Sequence, residues 1–426
     1  MAEAHYKRDD VFGLSRDTPL NYVARPRVDE NFLRNLKSQK HVVLYGGSKQ
    51  GKTCLRKHCL KPEDYILIQC INNLDISNLN SSILKRAGFE ITQSQTKSAS
   101  GKIKANAKFN AALAGLSIEA GGEKGNEKQI TTTTAPLEID LDDVNDIINS
   151  LKSIEFKKII VLEDFHYLPA ETQKDFAFSL KAFHEISDYC FVIVGVWLED
   201  NRLIVYNGDL TGRVISVNAD IWEPDELREI IQHGGALLGI TFDSTFTEQL
   251  IEHCKDSVYI VQEACRRVCQ QQNIEETLDA PQEVGNNVNA SELVKEIVNE
   301  QSARYSSFLT AFSDGFQDTE LEMYKWLLFP ILTSSVEELE QGILYRKIRQ
   351  SLIENHPKRS SLNPGNITQA LQSASSLQVK KDIKPIIIDY DQTNKKINIV
   401  DKGFLVWLAH QNTKELLEDI GLPSKN

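Results

Sequence analysis

The chain has 426 residues, of which 41% are hydrophobic and 25% charged, and it carries a formal net charge of −12. This length predicts two or three domains, because single hydrophobic cores stop growing near about 250–300 residues. The acidic balance argues against a protein that coats nucleic acid non-specifically, although it does not exclude a local basic patch.

No apolar run approaches the about 18 residues that a membrane-spanning helix needs, and the opening segment lacks the apolar core of a secretory signal. The seven cysteines are scattered, and the pair Cys265 and Cys269 has no second Cys/His pair at zinc spacing. We therefore expect reduced thiols, no membrane partner and a cytoplasmic location.

Apolar runs and helical patterns alternate along the first part of the chain. Short apolar runs next to turn residues are typical of buried strands, and apolar residues at a period of 3.6 are typical of helices. The pattern predicts, in order, a helical lead-in over 20–40, a strand over 41–45, a helix over 52–58, a strand over 65–70 and a helix that begins at Asp75 or Ser77 and ends near Gly88.

The segment 92–136 differs in character, because it is rich in Ser, Thr, Gly, Lys and Ala. Every second residue is apolar over 103–113, which is the period of a strand with one half-buried face, and 131–134 favours an extended return. We predict an inserted β-hairpin that is too small to carry its own core. Two interpretations stay open: a disordered insertion, or a device that contacts a second protomer or a partner.

After the insertion the alternation of helices and strands resumes and then gives way to helices. Strands that alternate with helices predict βαβ units and a parallel sheet, so the predicted fold class is α/β. The predicted elements are a helix over 140–152, a strand over 159–162, a helix over 170–186, a strand over 190–196, an all-helical stretch over 223–271, a linker or hinge over 273–289, helices near 319–334, 342–355 and 364–379, a hairpin over 385–400 and a helical stretch from Gly403.

The segment 46–53, GGSKQGKT, fits the pattern G-x-x-x-x-G-K-[ST] between a predicted strand and a predicted helix. Phosphates need converging N–H donors, glycine lets the backbone come close, and the helix adds the positive end of its dipole. Lys52 would reach the β- and γ-phosphates and Thr53 would ligate Mg²⁺, so the predicted cofactors are ATP and Mg²⁺. The residues predicted to hold the nucleotide are Gly46, Gly47, Ser48, Lys49, Gln50, Gly51, Lys52, Thr53 and Cys54.

An acid at the end of a neighbouring strand should complete this site. Glu163 and Asp164 follow the apolar run 159–162 and meet that need. By register, Glu163 takes the magnesium side and Asp164 the side that activates water, which inverts the usual order of Asp then Glu. Because Asp is shorter by one methylene, we expect Asp164 to polarise water poorly and hydrolysis to be slow, well under the about 1–100 s⁻¹ typical of kinases.

These segments resemble the AAA+ and STAND superfamily of ATPases, and most closely the branch with archaeal and eukaryotic origin-recognition ATPases and bacterial signal-transducing NTPases. The resemblance is carried by GGSKQGKT, by Val161-Leu162-Glu163-Asp164-Phe165-His166 and by GDLTGRV at 208–214. It implies a P-loop NTPase core over 1–220 with the insertion 92–136, a helical lid over 221–272, a linker over 273–300 and a winged-helix-like domain over 301–426.

The resemblance also implies roles for arginines. Arg213 would be the arginine finger that reaches the γ-phosphate bound by a neighbouring subunit; the alternative is a surface arginine ahead of a strand. Arg266 and Arg267 lie near the place of a second sensor but do not match its usual motif. The first sensor is a polar residue at the end of the fourth strand, where this chain has the apolar sequence that follows Gly195.

The tail resembles a winged helix with its wing at 385–400. Residues 343–381 contain seven Lys or Arg and one acid, a local positive balance on an acidic chain. Such a patch could bind DNA phosphates, and a solvated helix face or a docking surface for another protein is the alternative. The candidate contacts are Arg346, Lys347, Arg349, Lys358 and Arg359.

Two functions follow from these features. The first is a slowly hydrolysing ATPase switch that forms homo-oligomers and acts as sensor or scaffold for a separate effector protein, as similar ATPases do in bacterial defence. The second is a DNA-binding ATPase loader or a regulator of transposition or replication. A small-molecule kinase fits poorly, because nothing marks an acceptor pocket.

Overall fold

The computed structural model describes residues 5–13, 17–91, 103–110, 132–317 and 319–424. Up to residue 218, strands and helices alternate as the sequence pattern predicts. The elements are α1 Arg8–Val11, α2 Pro26–Leu36, β1 His41–Gly46, α3 Lys52–Cys59, β2 Tyr65–Gln69, α4 Ile76–Ala87, β3 Phe89–Ile91, β4 Ile103–Asn110, β5 Thr132–Ile139, α5 Val144–Ser153, β6 Ile159–Glu163, α6 Ala170–Ile186, β7 Phe191–Val196, α7 Arg202–Tyr206 and β8 Val214–Asn218.

Within the described residues, five parallel strands form the central sheet in the order β2-β6-β7-β1-β8. Their side chains are mostly buried because helices cover both faces, as parallel sheets require. On one face Phe176 and Leu180 of α6 join the core, and on the other Phe32 of α2 and Leu55 of α3 do so. The predicted α/β class with a parallel-sheet core is confirmed.

The inserted hairpin pairs as predicted where it is described. β4 pairs antiparallel with β5, and β3 adds a third strand that the sequence pattern did not predict. Ala105 and Ile139 are buried against the core of the α/β sheet. Residues 92–102 and 111–131, which include the predicted turns, lie outside the described residues.

The region from α8 to α11 is mainly helical, but it contains two short strands. Its elements are α8 Pro224–Leu238, β9 Ile240–Phe242, α9 Ser244–His253, α10 Val258–Gln271, β10 Gln282–Val284 and α11 Ala290–Asn299. The prediction of an all-helical stretch over 223–271 is wrong at β9, which pairs in parallel with β10. The segment predicted as a linker therefore carries a strand and, in α11, the buried residues Leu293 and Ile297 of the same core.

The C-terminal part combines helices with a small antiparallel sheet in the order β11-β13-β12. The turn of the predicted hairpin lies between β12 and β13. The prediction of a winged helix stays a prediction. The elements are α12 Ser302–Ser313, α13 Met323–Thr333, α14 Val336–Gln341, β11 Ile343–Leu344, α15 Tyr345–Asn355, α16 Pro364–Gln372, α17 Ala374–Lys380, β12 Ile388–Asp391, β13 Lys396–Ile399, α18 Lys402–Ala409 and α19 Thr413–Asp419.

Two absences in the described residues bear on the sequence predictions. No helix there is long and apolar enough to cross a membrane. All seven cysteines lie in the described ranges, and each is free. Burial raises the pKa of the Cys59 thiol to about 12, which makes it a poor nucleophile.

Candidate nucleotide site

β1 ends at Gly46 in the interior of the central sheet, and a loop leads from it to α3. Ligands of open α/β sheets bind at the carboxyl ends of such strands. The loop lies very close to other backbone there. A Cβ on Gly46 would lie 2.9 Å from the amide nitrogen of Asp220, and one on Gly47 would lie 2.9 Å from the carbonyl oxygen of Val400. Glycine is therefore required at both positions.

Two amide groups of this loop donate to oxygen atoms of distant segments. The N–H of Gly47 donates to Oδ1 of Asp220 at 2.6 Å. The N–H of Ser48 donates to the carbonyl oxygen of Val400 at 2.6 Å. A phosphate would supply the same kind of acceptor, so the loop presents the donors of an anion site. Sequence reasoning missed Asp220 and Val400, because nothing local connects them with the loop.

Lys52 begins α3, and its ammonium group turns back onto the loop. Its Nζ donates to the carbonyl oxygens of Gly46 at 3.0 Å and Gly47 at 2.5 Å. Burial lowers the pKa of Lys52 to about 8, while the nearby carboxylates of Asp220 and Asp164 act in the opposite direction. The ammonium is thus held beside the anion-binding amides and partly desolvated, ready to pair with a phosphate.

Thr53 and Glu163 meet next to the phosphate loop, where the sequence predicts the metal. The Thr53 hydroxyl donates to Oε1 of Glu163 at 2.7 Å. Hydroxyl and carboxylate oxygens are ligands that Mg²⁺ accepts in nucleotide sites, so this pair fits the metal. The observation supports Thr53 and Glu163 as the residues that would hold Mg²⁺.

Arg56 is a member of the site that sequence reasoning missed. Its Nε donates to Oε2 of Glu163 at 2.8 Å, and the two side chains are only 2% and 8% exposed. The signal was present, because Arg56 lies four residues after Lys52 and three after Thr53. Those spacings place three residues on one face of a helix.

Asp164 follows β6 with φ at 57° and ψ at 36°, a left-handed conformation that Asp tolerates better than most residues. Its Oδ2 accepts a hydrogen bond from Nε2 of Gln69 at the end of β2. Burial raises the pKa of Asp164, and the charge of Glu163 adds to that rise. The carboxyl group is therefore a better proton acceptor than an exposed aspartate.

A cavity of about 310 Å³ joins these groups. Loop residues from Ser48 to Cys54 line it together with Glu163 and Asp164. Its other walls are largely apolar and aromatic, which suits a nucleobase. These walls come from the N-terminal segment, α8 and the residues just before it, and α10, and include Tyr22, Val23, Trp222, Ile230, Val258 and Tyr259.

The predicted arginines do not line this cavity. Arg213 lies ahead of β8 and donates to Oε1 of Glu185 at 2.8 Å and to the carbonyl oxygen of Asp209. Arg266 and Arg267 both donate to Glu263 of their own helix. At the end of β7, where a first sensor was expected, the N–H of Val196 donates to Nδ1 of His166 at 3.3 Å.

The residues of the predicted basic patch lie in the C-terminal part, away from the cavity lining. All five are exposed. Lys347 pairs with Glu338, and Lys358 pairs with Glu320 at 3.2 Å.

No family model matches this chain, and no curated protein does. Among the similar solved structures are two proteins named as ATPases. A Walker-type ATPase of Pyrococcus abyssi is 14% identical with a TM-score of 0.49, and the match covers 93% of this chain and 99% of that one. The ORC1 protein of Aeropyrum pernix, solved in complex with DNA, is 11% identical with a TM-score of 0.45, over 97% and 98%.

A third similar structure is a Signal Transduction ATPase with Numerous Domains (STAND) protein with a tetratricopeptide repeat sensor, from Pyrococcus horikoshii. It is 13% identical with a TM-score of 0.38, and the match covers 94% of this chain but 44% of that one.

Proposed function

We propose that this chain is an ATP-binding switch ATPase in which a bound triphosphate competes with the C-terminal part for the phosphate loop. The observation that carries the proposal is the Ser48 amide, which donates to Val400 of the C-terminal part, while the neighbouring Gly47 amide donates to Asp220, the partner of Lys402 in that part. A phosphate and these oxygens need the same donors, so the two cannot be bound fully at once. ATP binding and the position of the C-terminal part are then thermodynamically linked.

The contacts around Val400 support this linkage. Val400 packs with Val196 and Ile386 in a small apolar cluster between the sheet and the C-terminal part. The next residues are charged: Asp401 pairs with Arg304, and Lys402 pairs with Asp220 at 3.5 Å. A shift of Val400 away from the loop would therefore disturb several contacts together.

Hydrogen exchange with ATPγS and Mg²⁺ tests the switch. We expect faster exchange in β12 and β13 with ATPγS than without nucleotide, because the docking contacts weaken. Lys52→Ala, which loses a charge-assisted phosphate contact, should bind ATP about 10- to 100-fold more weakly and show no such change at the same concentration. Unchanged exchange in the parent at saturating ATPγS would refute the switch.

Assembly through Arg213 is the second part of the proposal. Arg213 does not reach its own cavity, so it can act on a nucleotide only from a neighbouring subunit. On α6, the 61% exposed Phe178 lies on the same helix face as Lys181 and Glu185, and Glu185 pairs with Arg213. An exposed phenylalanine beside this ion pair suits a subunit interface.

Sizing by light scattering with ATPγS or ADP tests assembly. We expect a larger species only with ATPγS, and its loss in Arg213→Ala and in Phe178→Ser. Val205→Ser, which removes another exposed apolar side chain, controls for general surface hydrophobicity. A parent of one size in both nucleotides would remove the oligomeric switch. In this proposal the assembly acts on a separate effector protein and has a role in defence.

DNA binding is the second candidate function, and the basic patch favours it. Arg346, Arg349 and Arg359 are exposed, and no ion pair of theirs is present among the described residues. Anisotropy with a fluorescent duplex at about 50 mM salt tests this, since each phosphate contact contributes about 0.9 to the salt slope. Absence of binding with ATP present, or equal binding by the triple alanine variant, would exclude this patch as a DNA site.

A further inference from the structure

Glu163 has both carboxylate oxygens engaged within the protein. Oε1 accepts from Thr53 at 2.7 Å and Oε2 accepts from Arg56 at 2.8 Å. Because Glu163 and Arg56 are both buried, each needs the charge of the other. In a site where Mg²⁺ supplied the counter-charge, no arginine would be needed at this carboxylate.

The position of Arg56 is fixed by its surroundings. Its guanidinium lies 5.1 Å from the ring centre of Tyr65. Its Nη1 is buried and has no hydrogen-bond partner in the described parts of the chain. The arginine cannot move into solvent without leaving Glu163 unpaired, so its charge remains at the site with or without a ligand.

Arg56 sets the charge on the side of the site where Thr53 and Glu163 meet. The phosphate loop carries the cations Lys49 and Lys52, and both line the cavity together with Glu163 and Asp164. Without Arg56 the carboxylate of Glu163 would face the terminal phosphates without a paired cation, and it would repel them unless a metal came with the triphosphate.

We propose that Arg56 is a positioning residue that neutralises Glu163, so that this chain binds ATP almost as tightly without Mg²⁺ as with it. The inference rests on the proposed function and specifies the metal requirement of that same site. Thr53 and Glu163 remain the residues that would hold Mg²⁺, which leaves the metal its part in hydrolysis. The ratio of the two dissociation constants, in EDTA and in Mg²⁺, is the quantity that Arg56 sets.

Titration of the full chain with a fluorescent N-methylanthraniloyl ATP, in EDTA and in Mg²⁺, measures this ratio. For the parent we expect a value below about five. For Arg56→Gln the ratio should rise at least about tenfold, because an uncompensated carboxylate repels metal-free ATP and Mg²⁺ replaces the lost cation. Arg56→Lys, which keeps the charge, should stay close to the parent.

Lys57→Gln is the matched control, because it removes one positive charge from the adjacent, exposed position of the same helix. Its ratio should equal that of the parent. A purely structural role of Arg56 would weaken binding equally in both buffers and leave the ratio unchanged. A parent ratio above about 30, or an unchanged ratio in Arg56→Gln, would overturn the inference while ATP binding itself stands.

Glu163→Gln keeps the inference testable if Arg56→Gln does not fold. Removing the carboxylate charge should raise the affinity for metal-free ATP, since Arg56 then faces the phosphates unopposed. An affinity in EDTA equal to or weaker than that of the parent would contradict the proposal. A parent that binds no nucleotide in either buffer would remove both this inference and the proposed function.

Discussion

Arg202–Asp389 and Arg56–Glu163 both join an arginine to a buried carboxylate, but the two pairs differ in how fully their polar atoms are hydrogen-bonded. Arg202 holds Asp389 with two bonds, at 2.9 and 3.0 Å, and Ser375 adds a third. Arg56 makes one bond to Glu163 and Thr53 adds a second, and Nη1 of Arg56 is unpartnered within the described residues. The saturated pair fastens the C-terminal part to the core, whereas the incomplete pair lies where a ligand is expected.

Arg202→Met should have the largest effect, because it leaves the fully buried Asp389 without its cationic partner. We expect the free energy of unfolding to fall by about 3–5 kcal/mol, as for other broken buried pairs. Urea denaturation followed by circular dichroism measures this. Lys181→Met breaks an exposed pair with Asp209 and should leave the midpoint unchanged. Equal urea midpoints for both variants would show that the Arg202–Asp389 pair does not stabilise the fold.

The sequence predicts the sheet and the phosphate loop because their signals are local. The apolar runs around GGSKQGKT and before Glu163 each specify a strand from neighbouring residues alone. β3, β9 and β10 were missed because strands of three residues carry no periodic signal. Arg56 was visible in the helix spacing but was not used.

The contact between Ser48 and Val400 could not be predicted from any local sequence signal. It joins two backbone groups from opposite ends of the chain, so no residue type marks it. The sequence also does not indicate that Asp389 is the partner of Arg202, since many acidic residues lie in the C-terminal part. The parts of the site built within one βα unit could therefore be predicted, and the parts brought by packing of the C-terminal region could not.

Arg56→Met breaks the second pair, Arg56–Glu163, and measures how much it contributes to the stability of the fold. Glu163 borders the cavity, so water or a proton can reach it once the arginine is gone. We expect a loss of about 1–3 kcal/mol in the free energy of unfolding, less than for Arg202→Met. The same urea denaturation experiment measures this loss. A loss equal to or larger than that of Arg202→Met would mean that Arg56–Glu163 contributes at least as much to the stability of the fold as Arg202–Asp389.

Asp164→Glu tests the acid beside the incomplete pair. The longer side chain should reach the attacking water better and raise ATP turnover by about tenfold, a part of what a well-placed base contributes. Phosphate release at saturating Mg²⁺ and ATP measures it, with Asp164→Asn as the inactive reference. A turnover at or below that of the parent would show that the length of the acid does not limit hydrolysis.

Asp220→Asn is expected to have the smallest effect, and it acts where the two regions meet. The amide oxygen can still accept from Gly47, but the charge that opposes a phosphate and pairs with Lys402 is lost. We expect ATP to bind about threefold more tightly, with faster hydrogen exchange in β13. Asp225→Asn removes an equal charge from the exposed start of α8 and should change neither. Weaker ATP binding in Asp220→Asn would mean that Asp220 organises the loop for the phosphate instead of competing with it.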